Sequence, residues 1–144
     1  MFGKLLDIAA SAMSANRLRI NTISSNIANA ETTRTEEGGP YKRRDVMFSA
    51  TDVPTQTFAN ALDEATLKGV KVAGVVTDKS PPRMVYDPGH PDADATGMVA
   101  MPNVNTVTEM VNLVSASTAY KAAAEVVGVT KDIAASLRRI STSS

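Results

Sequence analysis

Apolar residues recur every seven positions near both ends of the chain. Near the N-terminus, one row contains Leu6, Met13, Ile20 and Ile27, and the next contains Phe2, Ala9, Asn16, Ile23 and Ala30. Near the C-terminus, the two rows are Leu113, Tyr120, Val127, Ala134 and Ala116, Ala123, Thr130, Leu137. Such rows predict long helices that pair along an apolar seam, antiparallel within one chain or with neighbouring molecules. We therefore predict a mainly α fold whose long N- and C-terminal helices form an antiparallel coiled-coil pair.

The strong helix breakers lie between these two segments. All seven prolines and six of the eight glycines fall within residues 38–102. The sequence therefore predicts an N-terminal helix at 1–32, an extended loop with a small β-rich segment at 33–102, and a C-terminal helix at 103–144. The two helices are expected to make one helical domain.

The middle segment is expected to be irregular and to contain a small sheet. Alternation and β-branched residues predict strands at 41–48, 69–76 and 83–86. Residues 54–68 fit either a short helix or an irregular loop. Residues 31–102 hold 11 of the 15 acidic and 8 of the 15 basic residues, so the middle of the chain is expected to face water.

The terminal segments, in contrast, carry few charges on the face opposite the seam. Thr22, Ser25, Asn26 and Asn29 recur at helical spacing and form an uncharged polar stripe beside the apolar one. Hydrogen-bonded amides are cheap to bury and fix the register of packed helices, so this face is predicted to be a contact surface. A carboxylate at position 26 is expected to abolish assembly more than monomer stability. The candidate assembly residues are Leu6, Met13, Asn16, Ile20, Ile23, Ser25, Asn26, Ile27, Asn29, Met110, Leu113, Tyr120, Val127 and Leu137.

Net charge and cysteine content exclude several classes of function. The net charge is zero and there is no cysteine, so neither a general attraction to nucleic acid or anionic membranes nor a thiolate site is expected. The A-x-A pattern at 10–12 resembles a signal-peptide cleavage site. Asp7 interrupts the preceding apolar run, however, and the helical pattern continues to Ala30, so no cleaved signal is expected.

The best candidate for catalysis or metal binding is YDPGHPDADATG at 86–97, which contains the only histidine, His90, close to Asp87, Asp92 and Asp94. Its tail partly matches the start of a calcium loop, but the required glutamate at the twelfth position is Asn103. Successive turns whose aspartates accept backbone N–H bonds account for the same residues, so we expect neither an enzyme nor a cofactor. A metal-dependent or hydrolytic enzyme centred on His90 is the alternative. We expect Lys42-Arg43-Arg44 to lie on a solvated strand edge.

Three stretches together resemble the axial proteins of the bacterial flagellum. They are SANRLRINTISSNIANAETTRTEEGGPYKRRDV at 14–46, VYDPGHPDADATG at 85–97 and PNVNTVTEMVNLVSASTAY at 102–120. The S-x-N-I-A-N core is typical of the wider family, and the other two motifs narrow the likeness to rod-forming members.

The resemblance implies a structural subunit of the proximal rod, which crosses the periplasm as part of the basal body. It implies helical assembly with further copies and with the hook-basal body complex protein E and rod proteins B, F and G. It also implies export by the flagellar type III apparatus without a cleaved signal. Nucleic acid and direct membrane insertion are not expected. A soluble helical adaptor is a third hypothesis.

Overall fold

The computed structural model describes residues 2–52 and 68–142. The fold is mainly helical, with one long helix towards each end and a small β-containing segment between them, as the sequence predicts. The elements in chain order are α1 (Phe2–Ala28), β1 (Arg44–Asp52), β2 (Lys68–Thr77), β3 (Arg83–Tyr86), β4 (Met98–Met101) and α2 (Thr106–Thr142). The antiparallel pairing of the helices and the three-segment division stay predictions. The helix or loop expected at 54–68 lies, apart from Lys68, outside the described residues.

The two helices follow the heptad segments closely. α1 has 27 residues and α2 has 37, and neither contains a proline. The side-chain oxygen of Asn105 accepts the backbone N–H of Thr108 at 3.1 Å, which satisfies one of the free donors at the start of α2. Helix α2 therefore begins at Thr106, directly after the Asn105 cap and not at the predicted residue 103. None of the described helices has a stretch apolar and long enough to span a bilayer.

The strands form two separate two-stranded sheets. β1 pairs with β2, and β3 pairs antiparallel with β4 in a register that places Val85 opposite Val99. β1 starts at Arg44 rather than at the expected residue 41, because the backbone N–H groups of Tyr41 and Arg43 donate to Thr32 and Asn103 and not to a neighbouring strand. The sequence analysis did not predict β4, a strand of only four residues.

The chain divides into two compact units. The first contains the described parts of Met1–Leu18, Phe48–Ala73 and Ala116–Ser144, and the second contains Arg19–Met47 and Gly74–Ser115. In the first unit the buried residues are mostly small, as at Ala9, Ala15 and Ala116, and the Ser11 hydroxyl accepts the N–H of Val70 at 3.1 Å. In the second unit, Ala30, Tyr41 and Val104 form a buried apolar cluster.

Buried polar cluster and candidate assembly surface

Asn26, near the end of α1, is fully buried and uses its whole hydrogen-bonding capacity within its own chain. Its Nδ2 donates to Oε2 of Glu109 at 2.9 Å and to the carbonyl oxygen of Arg44 at 2.7 Å. Its Oδ1 accepts the Tyr41 hydroxyl and the Arg44 N–H, each at 3.0 Å. An amide has two donor and two acceptor positions, so the Asn26 side chain is saturated. The cluster thus joins the end of α1 to residues 41–44 and to the first turn of α2.

Glu109 supplies the negative charge of this cluster and has a side chain that is only 1% exposed. Its Oε1 accepts a hydrogen bond from Nε of Arg43 at 2.7 Å, and Arg43 also contacts Asp45 at 3.2 Å. Partial burial acts to lower the pKa of Arg43, but the hydrogen bonds and charges of Glu109 and Asp45 outweigh burial and raise it. Glu109 therefore faces a permanently charged partner. No buried side-chain nitrogen or oxygen in the described ranges lacks a partner.

Asn103 extends the cluster to the segment that follows β2. Its Oδ1 accepts the backbone N–H of Arg43 at 2.8 Å, and its Nδ2 donates to the carbonyl oxygens of Ser80 at 3.2 Å and Asp78 at 3.4 Å. The N–H of Asp78 in turn donates to the carbonyl oxygen of Arg43 at 2.8 Å. Arg43 is thus held through its side chain and through both backbone groups.

The three basic residues at 42–44 are not all exposed to solvent, although the sequence analysis expected them to be. Lys42 and Arg44 are exposed, and the Arg44 guanidinium lies 6.0 Å from the centre of the Tyr41 ring. The Arg43 side chain, however, is only 19% exposed, because it reaches Glu109. The expectation of a solvated edge is therefore wrong for Arg43, whose carboxylate partner is 66 positions away in sequence.

The segment around His90 is a set of turns in the loop between β3 and β4. His90 donates its N–H to the carbonyl oxygen of Asp87, and its Nδ1 accepts the N–H of Asp92 at 3.0 Å. Oδ1 of Asp94 accepts three donors, the hydroxyl and N–H of Thr96 and the N–H of Met98. These contacts confirm the predicted turns. Within residues 2–52 and 68–142, no three acidic or histidine side chains are grouped as they would be to hold a metal ion.

The same loop is tied to the segment that follows α1. Oδ2 of Asp92 accepts the Thr33 hydroxyl at 2.8 Å, and Oδ1 lies 2.7 Å from the Arg34 guanidinium. The carboxylate that looked like a possible ligand therefore serves as a structural contact. The pKa of Asp94 is lowered, chiefly because the Thr96 hydroxyl and two backbone N–H groups hydrogen bond to its carboxylate.

The candidate assembly residues are distributed over all degrees of exposure. Two are buried, Ile23 and Asn26, and three are exposed, Ser25, Met110 and Leu137. The remaining nine are half-buried: Leu6, Met13, Asn16, Ile20, Ile27, Asn29, Leu113, Tyr120 and Val127. Two members bond to their own helix, because Asn16 Nδ2 donates to the carbonyl oxygen of Ala12 and Asn29 Nδ2 to that of Ser25. Their role in assembly stays a prediction.

A larger apolar surface runs along α2, and the sequence analysis identified only Leu137 of it. We call it the α2 apolar stripe, and its exposed members are Val107, Val111, Val114, Val126, Val129, Ile133, Leu137 and Ile140. They recur at spacings of three or four residues in two groups, 107–114 and 126–140, so each group lies along one side of the helix. Apart from Leu137, its members are valines and isoleucines outside the seam rows, so a second set of β-branched residues was the available signal. An exposed apolar surface of this size commonly marks a contact with another protein.

The chain has two long terminal helices, a buried polar cluster around Asn26 whose hydrogen bonds are satisfied within the chain, and an exposed apolar face on α2. These are the features of an assembly subunit. Comparison with known proteins places it among the flagellar rod proteins. Residues 6–34 match the family described as "Flagella basal body rod protein", and residues 95–140 match "Flagellar basal body rod FlgEFG protein C-terminal". The two matches fall on α1 and on the stretch that includes α2.

Curated relatives make the assignment more specific. The chain is 42% identical over 136 residues to flagellar basal-body rod protein FlgC of Borreliella burgdorferi, covering 89% of this chain and 90% of the relative. It is 43% identical to FlgC of Escherichia coli O6:H1, covering 90% of each chain, and 38% identical to FlgC of Bacillus subtilis, covering 88% and 89%. The chain belongs to the FlgC family of flagellar basal-body rod proteins. The predicted resemblance is confirmed, and the chain is a structural rod subunit.

Proposed function

We propose that this subunit assembles helically in the proximal rod of the flagellar basal body and that its terminal helices supply the contacts. The α2 apolar stripe is the observation that carries this proposal, since Val107 and Val111 are each more than half exposed. Identical subunits joined by an open screw operation build a tube, and burial of the stripe between neighbours would favour that assembly. Such a tube would transmit torque through packed helices, with no catalytic role for the chain.

The pairing of α1 with α2 as an antiparallel coiled coil is part of the same proposal. Two contacts support it, one in each compact unit. Near the end of α1, Asn26 hydrogen bonds to Glu109 in the first turn of α2. Earlier in α1, residues Ala10, Met13, Ser14 and Arg17 line a surface depression together with Tyr120 of α2. Later positions in α1 thus correspond to earlier positions in α2, as an antiparallel pair requires.

The partners would be further copies of the chain and other flagellar axial proteins, namely the hook-basal body complex protein E and rod proteins B, F and G. The location would be the periplasmic part of the basal body, reached through the type III export apparatus without signal cleavage. The helical span of α1 supports the last point, because Ala10-Ser11-Ala12 lies inside one uninterrupted helix. Cleavage by a signal peptidase after Ala12 would remove the first part of α1.

A charge placed on the α2 apolar stripe tests the assembly proposal. Val111→Asp should leave the free energy of unfolding of the isolated chain within about 0.5 kcal/mol, because the position is exposed. The same change should abolish swimming and leave no assembled rod in purified basal bodies, because it would bury an unpaired charge between subunits. Val111→Thr keeps the shape of the side chain and should retain assembly. Val75→Asp, at an exposed position of β2, is the control for added charge. Normal rods in the Val111→Asp strain would overturn the proposal.

The enzyme alternative is tested by removing the only imidazole. His90→Ala should preserve motility, since the observed hydrogen bonds of His90 serve a turn. Loss of motility with an unchanged folded chain and a normal amount of assembled rod would favour a chemical role for His90.

A further inference from the structure

The apolar seam alone does not fix how the two helices are aligned. In α2 one seam row repeats as Leu113, Tyr120 and Val127, and in α1 Met13 and Ile20 repeat in the same way. A shift of one helix by seven residues therefore replaces apolar contacts by other apolar contacts and loses only some overlap at the ends. Something other than the seam must select one alignment.

We infer that Asn26, Tyr41, Arg43 and Glu109 form a register lock that excludes such shifted alignments within the folded chain. The inference rests on the proposed pairing of α1 with α2 and adds the residues that set its alignment. The distances support it, because Asn26 Nδ2 lies 2.9 Å from Glu109 Oε2 and Arg43 Nε lies 2.7 Å from Glu109 Oε1. Both helices are thus fixed to the same short segment, residues 41–44.

A shift of α2 by one heptad breaks both contacts that Glu109 makes in this lock, those to Asn26 and to Arg43. If α2 moved by seven residues, position 109 would be taken by Ala116 or Pro102, whose side chains cannot accept a hydrogen bond. The Asn26 amide and the Arg43 guanidinium would then lose their carboxylate partner, and Glu109 would be separated from its cation. Buried polar groups without partners are strongly unfavourable, so the shifted state is disfavoured by the polar groups rather than by the seam.

The function of the lock is selection of one structure rather than general stability. A buried ion pair replaced by apolar residues of similar size often leaves stability unchanged or improved, while one buried polar residue can fix the register of a coiled coil. A subunit that repeats in a helical assembly needs one alignment, because each misaligned copy would present displaced contact surfaces to its neighbours.

Cysteine cross-linking measures the alignment directly, because the natural chain has no cysteine. Three double variants of the full chain are oxidised in parallel. The pair at Met13 and Tyr120 reports the native alignment, and the pairs Met13 with Val127 and Met13 with Leu113 report shifts of one heptad in either direction. The fraction of intramolecular disulfide is read by mass spectrometry of the monomeric species.

Each pair is placed in the natural background and in a lock-free background that carries Asn26→Leu, Tyr41→Phe, Arg43→Met and Glu109→Leu. The matched control is Thr130→Val. Like the lock residues Asn26 and Glu109, Thr130 is a buried polar residue, and it lies in a seam row of α2. Its hydroxyl donates to the carbonyl oxygen of Val126 in its own helix, so removal of the hydroxyl should not change the alignment of the two helices. Circular dichroism and urea unfolding establish whether each background is folded.

In the natural and Thr130→Val backgrounds, the native pair should form on the order of a hundredfold more disulfide than the shifted pairs. In the folded lock-free background, that preference should fall to within about threefold. A lock-free chain that keeps the native preference, or one that does not fold, would overturn the lock. If the native pair forms no disulfide even in the natural background, the proposed helix pairing itself fails, so the two failures are distinguishable.

Discussion

The guanidinium of Arg43, directly before β1, lies 2.7 Å from the carboxylate of Glu109 in the first turn of α2. The Glu109 side chain is 1% exposed, whereas that of Arg43 is 19% exposed. The carboxylate therefore depends on this partner and on Asn26 for the interactions that water would otherwise provide. The pair is thus a charged contact between the segment that precedes β1 and the first turn of α2, with its carboxylate withdrawn from water.

Removal of the Arg43 guanidinium should therefore destabilise the folded chain, because it leaves the buried Glu109 carboxylate without its cation. Arg43→Met is expected to lower the free energy of unfolding by about 3 kcal/mol, the low end for a broken buried pair because Arg43 is partly exposed. Lys42→Met, at the exposed neighbouring position, should change it by less than about 0.5 kcal/mol. Urea denaturation followed by circular dichroism measures both. Equal effects for the two variants would show that the ion pair does not stabilise the junction.

Asn26→Asp should destabilise the isolated chain. Asn26 Nδ2 now lies 2.9 Å from Glu109 Oε2 and 2.7 Å from the Arg44 carbonyl oxygen, and it donates to both. The substitution puts a carboxylate oxygen in its place, so three oxygens would face one another without a donor. We expect a loss of about 3 kcal/mol or more, while Asn21→Asp, at an exposed position of α1, should cost less than about 0.5 kcal/mol. Calorimetric unfolding of the two purified variants is the measurement. This outcome differs from the sequence-based expectation, which assigned the main damage to assembly.

Gly97 occupies a position that a residue with a Cβ can adopt only with strain. Its φ is +79°, and a Cβ at this site would lie 2.9 Å from Cε2 of Tyr86. Gly97→Ala should therefore lower the free energy of unfolding by about 1–3 kcal/mol. Gly74→Ala is the control, since a Cβ there meets nothing within 4 Å. Thermal unfolding compares the two, and a neutral Gly97→Ala variant would contradict the observed backbone conformation.

The loop between β3 and β4 should respond to acid through Asp94. Hydrogen bonds from the Thr96 hydroxyl and from the N–H groups of Met98 and Thr96 lower the pKa of Asp94 below its ordinary value of 3.8. A lowered folded-state pKa stabilises the loop above the unfolded pKa, and this contribution is lost as the pH falls through the folded pKa. Carboxyl NMR titration should give a pKa below 3.8 for Asp94 and a higher one in Thr96→Val, which lacks the hydroxyl donor. Identical titration curves would exclude the hydroxyl as a cause.

The helices were predictable because their signal is local and repeated. Heptad rows and the confinement of proline to the middle segment are sufficient to place α1 and α2 within a few residues of their ends. The strand at 83–86 was also found with its bounds. β4 was missed because four residues give too short a pattern, and its identity depends on pairing with β3.

The buried polar cluster was only partly predictable. The sequence predicted that Asn26 fixes the register of the helices. It also placed the neighbouring Ile27 in the apolar seam, yet in the structure Asn26 is buried and Ile27 is only half-buried. Hydropathy cannot show that an amide is saturated by Tyr41, Arg44 and Glu109, since those partners are distant in sequence. The same limit explains why Arg43 was assigned to a solvated edge.

The α2 apolar stripe consists mostly of valine and isoleucine, side chains that have one strongly preferred χ1 rotamer in a helix. Their contact with another surface would therefore restrict little side-chain motion that the helix had not already restricted. An interface formed by this face would therefore be stiff under torque. Its contacting side chains have few alternative rotamers to which they could change when the subunits are twisted against each other.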